Sequence, residues 1–410
     1  MMKMQSLLLE RSTVLVVGAG PVGLASALAC HALGLSVAVL EADPENRERP
    51  GSRSLFLHYD TLCLLQRIDP DLANEIASHG VVWERRETLF RGRRVFEKAY
   101  PPPISDRLPP FVSLRQPDTE HFLRLACARS GVPVMWEQQV ASVTVSKKGA
   151  VVQTTSGINF ESDYVIAADG ARSALRRSLG IELDGTHSRG FHVVIDIADD
   201  PTAPRDCVRT LHYEHPAIGG RTVLLVPFKG GFQVDLQCRE DDDPEVFASD
   251  VAARQWLPQV TRANDGERIM WISRYHFLQC VAQRFTDPKR RVLLVGDAAH
   301  LFPPFGARGL NSGVADGEAA AMAITLAIAA RGETRRAAAI DDFAIQRRQA
   351  ALNNSRAAGM ALAHLRPPNA RARIRRHAAA LFSPLIPAFG RWLEYAPYGP
   401  RFAQDGLRRY

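Results

Sequence analysis

Cysteines are few in this chain, and their spacing argues against two cysteine-dependent kinds of protein. The 410 residues include six of them, and no two form a CxxC pair. They are Cys30, Cys63, Cys127, Cys207, Cys238 and Cys280. Isolated cysteines supply neither the paired ligands of a zinc site nor a disulfide framework. The pattern is typical of a reducing compartment, so we expect a cytoplasmic protein.

Long apolar runs are also missing. The longest, AAAMAITLAIAA, covers 12 residues and is too short to span a bilayer, so we expect no integral membrane segment. The N-terminal stretch MMKMQSLLLERS has three leucines before a charge, which predicts no signal peptide. With 46% hydrophobic and 23% charged residues, the composition is that of a soluble globular protein of one large domain or two moderate ones.

The net charge of +7 is carried by the C-terminal segment. Residues 366–410 hold nine arginines and two acids, so the rest of the chain is balanced. No nucleic-acid-binding motif accompanies these arginines, and we expect no nucleic-acid partner. Two interpretations stay open: a solvated basic helical face, or a docking surface for an acidic partner or a membrane. The neighbouring apolar stretch HAAALFSPLIPAFGRWLEY leaves a peripheral membrane contact open.

A glycine-rich turn near the N-terminus has the pattern of a dinucleotide-binding unit. A buried strand, TVLVVGAG, runs into GxGxxG at Gly18, Gly20 and Gly23, a helix follows, and a second strand ends at Glu41. Gly18 permits a tight turn, Gly20 lets backbone N–H groups approach a pyrophosphate, and Gly23 lets the helix pack closely. Glu41 stands where a carboxylate accepts hydrogen bonds from a ribose diol. The fingerprint alone does not separate NAD from FAD.

Two later strand ends repeat this arrangement. YVIAA ends at Asp169 and Gly170, and RVLLV ends at Gly296 and Asp297, each before a helix. Because the carboxyl ends of strands in a doubly wound sheet form one crevice, we expect these turns to meet the glycine-rich turn. A long cofactor with a polyhydroxylated linker needs such distant contributions, and Asp297 can bond a ribityl hydroxyl.

The stretch PPFGARGLN, residues 303–311, predicts a backbone cradle for a flat ring. Its prolines and glycines offer rigid backbone without side-chain bulk, and a helix beginning near Leu310 points its N-terminus at the same place. These features favour FAD as the cofactor. No second GxGxxG is present, so a nicotinamide would have no domain of its own.

Three motifs together resemble the flavin-dependent aromatic hydroxylases of the p-hydroxybenzoate hydroxylase type, the group A flavoprotein monooxygenases. They are GxGxxG at 18–23, ADGARS at 168–173 and GDAAHLFPPFGARGLNSG at 296–313, within a match over roughly residues 12–330. The similarity is greatest to the branch that hydroxylates phenolic acids such as hydroxyphenylpropionate. The chain lacks the family's usual WK pair after NSG and is too short for the thioredoxin-like domain of many relatives. These departures weaken the prediction of the substrate class more than that of the cofactor.

The resemblance also implies cofactor-binding residues. Arg53 matches an arginine that contacts the FAD pyrophosphate, Gln116 a glutamine near the ribityl chain, and Pro303 the proline beside the flavin ring. Asp169 and Gly170 match a motif used for FAD and nicotinamide. The full predicted set is Gly18, Gly20, Gly23, Glu41, Arg53, Gln116, Asp169, Gly170, Gly296, Asp297, Pro303, Gly306, Gly309, Leu310 and Asn311.

The middle of the chain has a different residue pattern, with short β-rich pieces in place of strand–helix units. GFHVVIDIAD, RTLHYEH, RTVLLVPFKGG and FQVDLQCRED are short β-rich pieces broken by Gly, Pro and Asp, as in an antiparallel sheet. We expect an α/β fold. A Rossmann-like (GR2-type) FAD-binding domain takes residues 1–184 and 286–365, an inserted antiparallel β-sheet substrate domain takes 185–285, and a basic helical segment takes 366–410. Part of residues 80–115 belongs either to the FAD-binding domain or to the substrate domain, and the sequence leaves both alternatives open.

No motif identifies a catalytic base. The chain has no Ser/His/Asp order, P-loop or kinase set, and the spacing in HYEH fits a metal pair poorly, so we expect no metal. His58, Tyr213 and His215 are the candidates for an acid or base. The alternative for the HYEH residues is a mixed strand with one polar face.

The resemblance implies an FAD-dependent monooxygenase. NADH or NADPH reduces FAD, the reduced flavin forms a C4a-hydroperoxide with O2, and one oxygen passes to an aromatic, phenolic ring. The protein holds the flavin, excludes water and helps to ionise the phenol. The alternatives are a flavoprotein epoxidase or dehydrogenase with a non-phenolic substrate, and a non-catalytic flavin-binding protein. Either a monomer or a homodimer is compatible with the sequence.

Overall fold

The computed structural model describes residues 11–104, 107–187 and 190–400, so the predicted segments at 1–10 and 401–410 lie outside the described residues. Within the described ranges the strands form four sheets. In chain order the strands are β1 (Ser12–Val17), β2 (Val37–Leu40), β3 (Phe56–His58), β4 (Arg85–Phe90), β5 (Arg93–Ala99), β6 (Phe111–Ser113), β7 (Val134–Met135), β8 (Val140–Val145), β9 (Ala150–Thr154), β10 (Asn159–Ala167), β11 (Leu183–His187), β12 (His192–Ala198), β13 (Val208–His215), β14 (Arg221–Phe228), β15 (Gly231–Gln237), β16 (Ile269–Tyr275), β17 (Leu278–Ala282), β18 (Val292–Leu294) and β19 (His300–Leu301).

The helices lie mostly in the N-terminal half and after the last strand. In chain order, the α-helices of the described residues are α1 (Pro21–Ala32), α2 (Tyr59–Ile68), α3 (Pro70–His79), α4 (Gln116–Arg129), α5 (Ala174–Ser178), α6 (Pro244–Ala248), α7 (Asp250–Trp256), α8 (Arg308–Ala329), α9 (Glu333–Leu365), α10 (Ala370–Phe382) and α11 (Pro387–Tyr395). Short 3₁₀ turns include Gly296–Ala298 and Ala396–Tyr398.

The first sheet has the parallel core expected of a dinucleotide-binding fold. Its strand order is β7-β2-β1-β10-β9-β8, and β18 also pairs with β10. The pairs β7–β2, β2–β1, β1–β10 and β10–β18 are parallel. The last four residues of β1 are buried, because a central parallel strand is covered on both faces. The predicted Rossmann-like α/β arrangement is confirmed.

Helix α8 packs tightly on α1 beside this sheet. A Cβ added to Gly313 would lie 2.5 Å from Val22 Cγ2, and one added to Gly317 would lie 2.2 Å from Ser26 Oγ. The two glycines therefore allow the helices to approach closely. By length and composition, α8 is the one described helix long and apolar enough to cross a membrane, and 61% of its apolar window is buried inside the structure.

The second large sheet is the inserted one. Its order is β16-β12-β15-β14-β13-β4-β5, and its neighbours are antiparallel except for the parallel pair β13–β4. Strands β4 and β5, from the stretch 80–115, form one edge. Strand β17 pairs instead with β11 and β19 in a three-stranded sheet. The last strand of the inserted sheet in chain order is therefore β16, and the domain boundary at residue 285 stays a prediction.

The C-terminal segment covers an edge of the inserted sheet. Glu394 of α11 is fully buried and forms ion pairs with Arg86 on β4 and Arg209 on β13. The Tyr213 hydroxyl donates a hydrogen bond to Leu393 O over 2.7 Å. This part of the predicted basic segment is thus built into the fold. Around the turn between α10 and α11 the exposed apolar side chains are those of Leu381, Phe382, Leu385, Ile386 and Phe389.

Candidate functional site

One large cavity lies between the carboxyl ends of the parallel strands and the inserted sheet. Its volume is about 1130 Å³, above the ~300–1,000 Å³ typical of a small-molecule pocket. The turns that follow β1, β2, β10 and β18 all line it. The predicted residues that line it are Gly18, Gly20, Glu41, Arg53, Gln116, Asp169, Gly170, Asp297, Gly306, Gly309 and Leu310. Motifs far apart in sequence therefore meet in one place.

The three glycines of the first turn have different surroundings. A Cβ on Gly18 would lie 2.4 Å from Ala168 O, and one on Gly23 would lie 1.8 Å from Gly18 O. At Gly20 the nearest atom to an added Cβ is Arg49 Nη1, 4.0 Å away. Gly18 and Gly23 are therefore needed for the packing of the fold, whereas Gly20 borders open cavity.

Replacing Gly20 with alanine should separate binding from folding. Its φ of −75° and ψ of 174° suit alanine, so the melting temperature of the apoprotein should change little. The affinity for FAD should fall about 10-fold or more, because the methyl group occupies the space through which a pyrophosphate approaches the backbone. Thermal unfolding and fluorescence titration with FAD measure the two effects. Gly23→Ala is the matched control and should lower stability itself. Equal stability losses in both variants would contradict this assignment.

Glu41 shapes the first turn as well as lining the cavity. Its Oε2 accepts a 2.6 Å hydrogen bond from Ala19 N, and its Oε1 pairs with Arg47 Nη1 at 2.7 Å. Arg47 also donates to Glu120 Oε1 at 2.6 Å. The ribose-binding role of Glu41 stays a prediction. Arg47 was not predicted from the sequence, because no motif distinguishes it from the other arginines nearby.

Arg53 lies in a turn whose backbone is held against the inserted sheet. Asp196 accepts hydrogen bonds from Ser52 N at 2.5 Å and from Ser52 Oγ at 2.6 Å, and Gln116 N donates to Ser52 O at 2.9 Å. Arg53 has φ 47°, a left-handed conformation that costs a non-glycine residue roughly 1–3 kcal/mol. The contacts of Ser52 therefore hold Arg53 in a strained conformation beside the cavity.

Asp297 presents a carboxylate without a hydrogen-bond partner in the described part of the chain. Its side chain is exposed to the cavity, although its neighbours Gly296 and Ala298 are buried. Burial raises the pKa of Asp297 above its ordinary value, and nearby His300 and Arg53 offset this only in part. Because an unpaired carboxylate in such a place is unfavourable, the hydroxyl donors of a bound ligand fit this position.

The turn after β10 forms the neighbouring wall. Asp169 Oδ2 accepts a hydrogen bond from Leu175 N at 3.1 Å, and its Oδ1 is buried without a partner. Burial raises the pKa of Asp169. Arg176 donates to Ala171 O at 3.2 Å and to Ala298 O at 3.0 Å. This arginine links the two later strand-end turns into one wall.

A buried ionic network holds the turn that contains Asp297. Asp316 of α8 accepts hydrogen bonds from Gly296 N at 3.1 Å, from His300 Nε2 at 2.6 Å and from Arg347 Nε at 2.6 Å. Burial alone would raise the pKa of Asp316, but Arg347 and His300 bring it below its ordinary value. The histidine of GDAAH and the aspartate after NSG therefore have structural roles.

Four predicted cofactor residues lie behind the lining: Gly23, Gly296, Pro303 and Asn311. The Asn311 side chain donates to Phe56 O at 2.8 Å and accepts from Thr61 Oγ1 at 2.7 Å, so it braces the loop. Pro304 lines the cavity, rather than the predicted Pro303, which is buried. Neighbouring residues of an extended segment face opposite ways, and the sequence does not show which proline faces inward.

The three predicted acid–base candidates do not line this cavity. Tyr213 is fully buried under the C-terminal segment, and burial raises its pKa well above the ordinary value. His215 lies at the end of β13 with its ring 4.1 Å from that of His212, and burial lowers its pKa. His58 Nε2 donates to Gly306 O at 2.9 Å. Tyr213 and His215 therefore lie away from this cavity, and His58 holds the loop that lines it.

The inserted sheet contributes a polar face that was not predicted from the sequence. The polar residues of β15 line the cavity while the apolar ones between them pack in the core; the polar ones are Gln233, Asp235 and Gln237. His192 of β12 and Tyr275 of β16 join them. The alternation in FQVDLQ is visible in the sequence, but such alternation usually marks a strand with one solvent-facing side.

Several unpartnered polar atoms lie on the lining of this cavity. Buried atoms without a hydrogen-bond partner include Trp83 Nε1, Gln138 Oε1, Asp169 Oδ1, His192 Nε2, Gln237 Nε2 and Tyr275 Oη. Buried polar groups in proteins are normally paired, so these atoms indicate a place for ligands. The residues present fit FAD. Gly20 leaves backbone accessible for a pyrophosphate, and the unpartnered Oδ1 of Asp169 and the cavity-facing carboxylate of Asp297 suit a polyhydroxylated linker.

Comparison with known proteins agrees with this geometry. A family model described as an FAD binding domain matches residues 11–358. A 3-(3-hydroxy-phenyl)propionate/3-hydroxycinnamic acid hydroxylase from Mycolicibacterium smegmatis is 29% identical over 350 residues, covering 82% of this chain and 58% of the relative. A hydroxylase of the same name from Klebsiella pneumoniae is 28% identical over 353 residues, covering 82% and 59%. The chain thus spans about three fifths of the length of these curated relatives.

Solved structures show the same fold. p-Nitrophenol 4-monooxygenase PnpA from Pseudomonas putida superposes with a TM-score of 0.75 at 22% identity, covering 96% of this chain and 99% of that one. The flavin-dependent monooxygenase PieE, solved with FAD and substrate, gives a TM-score of 0.71 at 23% identity, covering 87% and 64%. Because the family match extends over most of the chain and its motifs line one cavity, the chain belongs to the FAD binding domain family of flavoproteins.

Proposed function

We propose that this chain is an FAD-dependent monooxygenase that uses NADH or NADPH and O2 to hydroxylate an aromatic, phenolic small molecule. The observation that carries the proposal is that one cavity joins the FAD-fitting turns to a covered face of the inserted sheet. A second molecule therefore has room beside the cofactor. The hydroxylase names of the curated relatives support the same reaction class.

The chain's own residues hold the cofactor in this proposal. The glycine-rich turn, Arg53 and the N-terminus of α1 hold the pyrophosphate, while Asp297 accepts hydrogen bonds from the linker hydroxyls. Gly309, in the first turn of α8, has no atom within 4 Å of an added Cβ and leaves room for the edge of the ring. Bound FAD supplies the electron transfer and the oxygen activation, which protein side chains cannot supply.

The half of the cavity beside the inserted sheet, called the substrate half here, is covered by the C-terminal segment. Pro397 and Tyr398 of this segment line it, beside Leu365 at the end of α9. The Arg308 guanidinium donates to Tyr398 O at 3.0 Å and to Pro400 O at 2.9 Å, which ties this cover to the first turn of α8. Such a cover excludes bulk water from the reacting groups.

A surplus positive charge beside the cavity favours a substrate with an anionic substituent. Arg86 and Arg209 share the single carboxylate of Glu394, and Arg209 also lines the cavity. A buried charge without a full counter-charge is unfavourable, so a ligand carboxylate would complete the balance. We therefore propose a phenolic acid as the substrate.

The test is NADH and NADPH oxidation by the FAD-loaded protein, with and without a panel of hydroxybenzoates, hydroxycinnamates and 3-(3-hydroxyphenyl)propionate. Hydrogen peroxide is assayed alongside. Oxidation stimulated at least about 10-fold by one phenolic acid, with little peroxide, is the expected result. Slow oxidation that no phenol alters would contradict the proposal and favour a non-phenolic substrate, a dehydrogenase or a non-catalytic flavoprotein.

A further inference from the structure

The polar face of β15 is arranged around one carboxylate. Asp235 lies opposite Val194 of β12 and Leu224 of β14, so its cross-strand neighbours on the cavity side are apolar. Gln233 and Gln237 flank it two residues away on the same face. The remaining acids on the cavity lining, Glu41, Asp43, Asp169 and Asp297, follow strands of the parallel sheet. Asp235 is therefore the carboxylate that the inserted sheet presents to the substrate half of the cavity.

A buried histidine orients this carboxylate. His192 Nδ1 lies 2.6 Å from Asp235 Oδ1. The His192 side chain is 3% exposed and that of Asp235 is 15% exposed, so the aspartate is the more accessible member of the pair. Phe277 and Phe305 pack against the imidazole, with ring centroids 4.3 Å and 5.8 Å away. The histidine is thus fixed in place, and Asp235 Oδ2, which has no hydrogen-bond partner in the described residues, remains for a ligand.

From this geometry we propose that Asp235 is the catalytic residue that accepts the proton of the substrate's ring hydroxyl, and that His192 is its positioning residue. The inference rests on the proposed function. The O–H bond of the phenol breaks, a new O–H bond forms at Asp235 Oδ2, and the electron pair stays on the ring oxygen. The ring becomes more electron-rich as a result, and an electron-rich ring is needed for the transfer of an oxygen atom to it.

The charged and titratable groups around Asp235 come from several elements. His192 faces it from β12, Tyr275 from the end of β16, and Cys238 follows β15. Arg366, just after α9, donates to Cys238 O at 2.8 Å and interacts electrostatically with Asp235. Burial raises the pKa of both Tyr275 and Cys238, so these two remain uncharged at neutral pH. Arg366 adds a positive charge near Asp235.

The test compares wild-type holoenzyme with Asp235→Asn, Asp235→Glu and His192→Gln. The probes are 3-(3-hydroxyphenyl)propionate and 3-phenylpropionate, which differ by the hydroxyl alone. Dissociation constants for both probes on FAD-loaded protein give a readout that is independent of turnover. Turnover is then measured against pH with a stimulating phenolic acid. Asp241→Asn, the same chemical change on the exposed turn after β15, is the matched control.

The wild type should prefer the hydroxylated probe, and Asp235→Asn should lose about 10-fold or more of that preference. The kcat of Asp235→Asn should fall about 100-fold or more. The wild type should lose turnover at low pH, where a carboxylate base becomes protonated, and Asp235→Asn should not show this loss. Asp235→Glu should keep part of the hydroxyl preference and part of the kcat that Asp235→Asn loses. His192→Gln should lower kcat by less than Asp235→Asn does. Asp241→Asn should behave as the wild type.

Flavin content and melting temperature identify variants that fail to fold. If Asp235→Asn fails to fold, Asp235→Glu and His192→Gln are compared with the wild type instead. The assignment of Asp235 is overturned if Asp235→Asn folds and keeps the hydroxyl preference, the kcat and the loss of turnover at low pH of the wild type. The monooxygenase function stands in that case. If no phenol stimulates the wild type, the proposed function is wrong and this inference falls with it.

Discussion

Replacing Asp297 with alanine should leave a folded protein that no longer retains FAD. The carboxylate faces the cavity without a hydrogen-bond partner in the described chain, and we propose that it bonds the linker hydroxyls of the cofactor. A hydrogen bond to a charged group contributes ~1.5–3 kcal/mol, so losing one or two should weaken FAD binding about 100-fold.

The same substitution should stabilise the apoprotein. Burial raises the pKa of Asp297, so the ionised carboxylate disfavours the folded state at neutral pH, and its removal takes this penalty away. The expected result is a higher melting temperature without FAD and a weaker response to added FAD.

Fluorescence titration of the apoprotein and the flavin content after purification measure FAD binding in this variant. Asp297→Asn keeps a hydrogen-bonding amide at the same place, so its affinity should fall between those of alanine and wild type. Unchanged flavin occupancy in Asp297→Ala would show that the linker does not pass this residue.

Replacing Asp316 with alanine should have the largest effect on stability. The change leaves Arg347, whose side chain is 5% exposed, without its carboxylate and removes the acceptor for Gly296 N and His300 Nε2. Breaking a buried ion pair by removing one partner costs ~3–5 kcal/mol of unfolding free energy. Urea unfolding of the apoprotein measures the loss, and FAD binding should weaken as well, because the turn that carries Asp297 is no longer held.

The effect of Asp316 on stability should also depend on pH. Its folded-state pKa lies below the ordinary value of 3.8, so its contribution is present above that value and is lost as pH falls through the folded pKa. The difference between wild type and Asp316→Ala should therefore shrink in acid.

Asp341→Ala is the matched control for this variant. Asp341 pairs with Arg290 at 2.8 Å, and both side chains are about 40% exposed, so the loss should stay below ~1 kcal/mol. Equal losses in the two variants would show that the buried network does not stabilise the turn.

The cofactor half of the cavity was largely predictable from the sequence. Eleven of the fifteen predicted cofactor residues line the cavity. The reason is local: strand-end turns that approach a ligand need particular backbone conformations, and glycine and proline mark those positions in the sequence. Arg53 was found only through the family resemblance, since its left-handed backbone depends on contacts of Ser52 with a distant strand.

The substrate half was not predictable in the same way. The reactive groups of Tyr213 and His215 make them candidates in the sequence, yet α11 covers Tyr213, and His215 does not line the cavity. Conversely, Asp235 and His192 stand in strands that look ordinary. Which face of an alternating strand meets solvent and which meets a cavity depends on what the rest of the chain packs against it.

The sequence by itself determined the α/β class, the family and the turns that fit FAD, because each rests on short motifs whose own residues are close together in the chain. Tertiary structure alone decided which proline faces inward, that His192 is buried beside Asp235, and that the C-terminal segment lines the cavity. Those outcomes depend on contacts between residues that are distant in sequence, whose geometry no local pattern encodes.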